Sequence, residues 1–62
     1  MRITYDDCRK AGWCIEGVER WFARVGGDFA DFIANGIDAD DLVALSDDAF
    51  TRRVIARKRA EG

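Results

Sequence analysis

The side chains that could do chemistry are two thiols, Cys8 and Cys14, and twelve carboxylates, with no histidine to serve as base or ligand. Catalysis would then need Glu, Lys or Cys in unusual arrangements, so an enzyme is the weakest class and no catalytic residue is assigned. Two thiolates without histidine do not complete a four-ligand zinc site unless carboxylates or a second chain contribute. Both cysteines read as small buried hydrophobes. A disulfide across the five intervening residues and metal or redox chemistry are the alternatives. Asp38, Asp40 and Asp41 could form part of a hard-cation site, but no glycine-centred twelve-residue loop ending in Glu follows them. Gly26-Gly27 is not followed by the Lys-Ser/Thr of a phosphate loop. No cofactor or metal is expected.

Charge is the more informative chemistry. Asp28, Asp31, Asp38, Asp40, Asp41, Asp47 and Asp48 follow one another with no cation between them. Arg52, Arg53, Arg57, Lys58 and Arg59 then come with no intervening acid, so the net charge of −2 hides a polarised second half. Such polarity speaks of partners. Much of it also suits helix architecture, because acids favour first turns and cations favour last turns. Asp40 beside Asp41 and the early Arg52-Arg53 are what capping leaves unexplained.

These groups must be positioned by very little chain. Sixty-two residues allow one domain and one small core, burying about 60% of the surface that the unfolded chain exposes. The chain is 48% hydrophobic and carries six bulky candidates for the core in Trp13, Trp21, Phe22, Phe29, Phe32 and Phe50. No run approaches the ~20 apolar residues of a membrane span, and the first residues lack the apolar stretch of a secretory signal. Met1 followed directly by folding sequence is read as the start of a complete small protein, placed in a cytoplasm.

Capping signals recur along the chain and predict an all-α bundle of four or five short helices over 5–11, 13–25, 29–35, 39–45 and 47–60. Thr4 with Asp7 reads as an acidic capping box, flanked by Ile3 and Cys8 as a hydrophobic staple. Cys14, Val18, Trp21, Phe22 and Val25 form one stripe of the second helix, with Glu16–Arg20 as an i, i+4 pair on the other side. Gly17 inside that helix implies either a close crossing or a later start. Asp28 and Asp38 open the third and fourth helices, and Ser46 is assigned the cap of the last. Phe29, Phe32, Ile33, Val43 and Leu45 are assigned to the core, with Ile37 and Leu42 as a second staple, and no useful strand pattern is present.

Two family resemblances emerge from these residues. Ile3-Thr4, Ala11-Gly12-Trp13-Cys14, Trp21-Phe22, Asp28-Phe29-Ala30-Asp31-Phe32, Asn35-Gly36-Ile37 and Arg53-Val54-Ile55 together resemble small uncharacterised helical proteins of bacteriophages and prophages. That resemblance implies a phage origin and no activity. Val18 to Phe22, Phe29 or Phe32, Gly36-Ile37-Asp38, Leu42, Leu45 and Asp47-Asp48 are similar to the sterile-alpha-motif interaction domains. The segment that precedes the last helix in that family is missing, since Phe50-Thr51-Arg52 enters the helix directly. The second resemblance implies a five-helix interaction fold.

The expectation is a non-catalytic protein–protein interaction module that inhibits or adapts a host protein through an acidic face of Asp38, Asp40, Asp41, Asp47 and Asp48. The alternatives are a small virion structural or assembly protein, and a nucleic-acid binder using Arg52, Arg53, Arg57, Lys58 and Arg59. The upstream acids make the last less favoured. Tyr5 and Trp13 are the candidate aromatic anchors. A homo-oligomer joined through opposite charges is a further option, and no membrane partner is expected.

Overall fold

The computed structural model describes residues 1–61 and is a bundle of five helices with one short antiparallel strand pair. In chain order these are β1 (Arg2–Ile3), α1 (Tyr5–Lys10), α2 (Ile15–Val25), α3 (Phe29–Asn35), β2 (Ile37–Asp38), α4 (Ala39–Leu45) and α5 (Ala49–Glu61).

Local chemistry explains most helix starts. The Thr4 hydroxyl accepts from the Asp7 N–H while the Asp7 carboxylate accepts from the Thr4 N–H at 2.9 Å, so the capping box is complete. Ile3 and Cys8 beside it are both buried. Asp28 caps α3 through the Asp31 N–H at 3.0 Å, and Asp38 caps α4 through the Asp40 N–H at 2.9 Å.

Two starts differ from expectation. Helix α2 begins at Ile15 rather than residue 13, because Cys14 is the extended cap residue and its Sγ accepts from the Gly17 N–H at 3.4 Å. Gly17 thus sits in the first turn, and a later start, not a close crossing, accounts for it. Cys14 is consequently exposed while Cys8 is buried, so only one of the two behaves as a core hydrophobe, and both are free thiols. Helix α5 begins at Ala49 because Asp48, not Ser46, holds its first turn: the Thr51 N–H donates to Asp48 Oδ1 at 3.1 Å. The Ser46 carbonyl accepts from the Thr51 hydroxyl at 2.6 Å, and its side chain helps to hold the Asp48 carboxylate.

The strand pair was not anticipated. Arg2 pairs with Asp38 and Ile3 with Ile37, and the Ala39 N–H extends the ladder to the Met1 carbonyl at 2.7 Å. It brings the start of the chain against the junction between α3 and α4. Gly36 makes the junction possible, with φ +75° and ψ −172°, a region essentially restricted to glycine. A Cβ there would stand 2.9 Å from the Ile3 carbonyl oxygen.

The core centres on rings. Phe22 stacks on Phe32 with centroids 4.7 Å apart, and Trp21 lies 4.5 Å from Phe50. Val18, Leu42, Val54 and Ile3 close around them at 1% exposure or less. Helices α3 and α4, seven residues each, bury one narrow stripe apiece through Phe32 and through Ala39 and Leu42. Ile33 and Val43, assigned to the core, therefore face outward at 45% and 40% exposure.

Candidate interaction surface

The five acids of the expected face divide sharply. Asp38 is occupied by capping α4 and lies 3.6 Å from the Met1 ammonium. The Asp40 N–H, aided by that ammonium, holds its carboxyl below the ordinary value. Asp48 accepts from the Trp21 indole N–H at 2.8 Å as well as from Thr51. Burial works to raise its pKa, but these donors outweigh burial and lower it. Asp47 pairs with Arg52 at 3.1 Å. Asp40 and Asp41 remain on the exposed first turn of α4, with no ion pair among the described residues.

The basic set divides as well. Lys58 lies 3.0 Å from Asp7, a carboxylate only 4% exposed, and so staples α5 onto α1. Lys58 belongs to the fold rather than to the free surface. Arg57 pairs with Glu61, and Arg52 with Asp47. Arg53 and Arg59 are exposed with no ion pair among the described residues.

Neither aromatic candidate stands free. Tyr5 and Trp13 are half-buried and pack against the core, Trp13 edge-on to Phe50 at 4.9 Å. Trp13 thus sides with the core candidates rather than the anchors, and its backbone N–H is tied back to the Cys8 carbonyl of α1 at 3.0 Å. Its indole N–H is the one buried side-chain polar atom without a partner among the described residues, at a cost of about 1–3 kcal/mol.

Among the described residues, two grooves stand out on the surface. The larger, about 380 Å³, lies between α2 and the start of α5, walled by Trp13, Trp21 and Phe50 with Arg20 and Arg24 at its rim. Among the described residues, Glu16 and Arg20 form no ion pair. Trp21 and Phe50 are only 2% and 3% exposed, so this groove offers ring edges and few free contacts. The smaller, about 210 Å³, runs between α4 and α5. Val43, Ile55 and Ala56 give it an apolar bed, with Asp47 on the α4 side and Arg52 and Arg59 on the α5 side.

Comparison with protein-family models, with curated proteins and with solved structures gave no match.

The α4–α5 groove is where members of the two expected charge sets meet. Asp40 stands one turn before Val43 on the exposed side of α4, and Asp47 lines the groove from the segment that follows the helix. Reading the sequence missed the groove because it assigned Val43 to the core. A narrower stripe through Ala39, Leu42 and Leu45 was the available signal that Val43 lies off it. The Cys8 thiol is pushed up to about 12 by burial and by the neighbouring Asp7 charge, which removes it as a nucleophile near neutrality. Among the described residues no three acids or cysteines converge to hold a metal ion, and no helix is long and apolar enough to cross a membrane.

Proposed function

We propose that this chain is a non-catalytic protein-interaction module whose contact face is the α4–α5 groove with its charged rim. The observation that carries this reading is Val43, an aliphatic side chain left 40% exposed above an apolar bed and bordered by charges of both signs. An apolar centre inside a polar rim is the general anatomy of protein interfaces. The acidic contribution narrows to Asp40 and Asp41 on the exposed first turn of α4, because Asp38 and Asp48 are engaged within the chain. The resemblance to small phage-encoded helical proteins supports a host protein or a phage assembly component as the partner class. Nucleic acid is less favoured, since Asp47 shares the groove with Arg59 and a net charge of −2 repels phosphate.

Affinity capture from expressing bacteria, comparing the native chain with Val43→Arg and with Asp40→Lys/Asp41→Lys, tests the proposal. Loss of a captured protein with Val43→Arg at unchanged helical content supports it. Equal capture by native chain and Val43→Arg removes the groove from the mechanism. Salt-sensitive retention on duplex DNA that depends on Arg53 and Arg59 moves the reading to nucleic acid.

A further inference from the structure

We infer that the partner seated in the α4–α5 groove is a second copy of this chain, docked about a two-fold axis that runs along the groove; this rests on the groove being a protein-contact face. The argument is one of charge complementarity. One bank carries the acids, with Asp47 lining the groove just past the end of α4 and Asp40 exposed on the first turn of α4, three residues before Val43. The other is basic, with Arg52 and Arg59 on α5. A uniformly acidic or uniformly basic partner meets repulsion from one bank. A partner with the same mixed pattern in reverse meets attraction from both, and a second copy turned about an axis along the groove presents that pattern.

The alternative two-fold arrangements are less favourable. An axis lying across the groove sets α4 on α4 and α5 on α5, bringing acids to acids and arginines to arginines. An axis along it sets α4 of one copy over α5 of the other, and repeats the contact twice by symmetry. The Asp47–Arg52 pair, exposed at 54% and 71%, can then re-form between copies without losing its partner type. Arg59, which has no ion pair among the described residues, gains Asp40 of the other copy. Val43 is covered by Ile55 and Ala56 across the axis.

Scale sets the expected strength. A standard stable interface removes about 800 Å² per partner, roughly a fifth of the 3917 Å² that this chain exposes. A single short groove of about 210 Å³ is small against that, so the dimer is a weak one.

Sedimentation velocity of the native chain from about 10 μM to about 1 mM, a range chosen for weak association, should show the average mass rising from monomer toward dimer. Asp40→Arg and Arg59→Glu, each alone, should stay monomeric across that range, with circular dichroism and urea midpoint close to native because both positions are exposed. Mixed in equal amounts, the two variants should associate as a heterodimer, since each pairs its changed residue with a native or changed residue of opposite sign. A native chain that is monomeric throughout overturns the inference, and so do single variants that dimerise as the native chain does. Loss of protein capture with Val43→Arg alongside a monomeric native chain leaves the contact face standing and removes only the second copy.

Discussion

At Asp7 the chain keeps a carboxylate in its interior by surrounding it with donors. The Thr4 N–H and hydroxyl approach from one side and the Lys58 ammonium from the other, at 2.9, 3.0 and 3.0 Å. Burial alone would raise the carboxyl, yet the donors prevail and hold it below its ordinary value of 3.8. In the window between the two values the unfolded chain binds more protons than the folded one. The stability owed to Asp7 is therefore complete above 3.8 and is lost as pH falls through the lowered folded value. Urea midpoints measured from pH 7 down to pH 2 should fall less steeply in Asp7→Asn than in the native chain, while Asp48 and Asp38 keep some slope in both. Lys58 is the partner whose removal leaves that charge underpaired. Lys58→Met retains the aliphatic stem, removes the ammonium, and should cost about 1–2 kcal/mol in urea denaturation. Arg59→Met, one residue on and exposed, should change stability by less than ~0.5 kcal/mol.

Helix ends show how far local pattern reaches. Gly36 joins α3 to β2 in a conformation open to glycine, under the Ile3 carbonyl. Gly36→Ala adds backbone strain of about 1–3 kcal/mol and a contact with main chain that cannot move aside. Its melting temperature should drop more than that of Ala34→Gly, an exposed control inside α3, where the cost is about 1 kcal/mol. The number and rough bounds of the helices were legible because caps act over three or four residues. Thr4–Asp7 and Asp28–Asp31 are decided within that distance. The start of α5 was not legible, because Asp48 is committed by the Trp21 indole, 27 residues earlier. The same limit hid the role of Lys58, whose acid is 51 residues away. The site was half legible. Residue types gave its acids and arginines, but which of them remain free, and that Val43 lies between them, depends on how α4 meets α5.

Across the whole molecule, both ends of the chain serve the fold. Arg2 and Ile3 form a strand against Ile37 and Asp38, and α5 returns over α1 through Lys58. With eleven hydrophobic residues in its core, the bundle has few contacts to spare. Ile3 is fully enclosed, and fully burying an isoleucine contributes about 1.5–3 kcal/mol, a large share of the stability open to a chain of this size. Removing residues 1–3 deletes that side chain, the ladder to β2 and the Met1 carbonyl that accepts from Ala39. It also strips the extended segment that leads into the Thr4 cap. A chain beginning at Thr4 should therefore lose its cooperative thermal transition, followed by circular dichroism. Ile3→Ala should keep a transition at lower temperature, because the backbone ladder survives. If the shortened chain melts as the native one does, the strand is an ornament on a helical core that suffices by itself. If it fails as expected, the α4–α5 face is held in place from the far end of the chain, since β2 runs directly into α4. Substitutions near Ile3 would then weaken the contact face without touching it, which separates their effect from that of Val43→Arg.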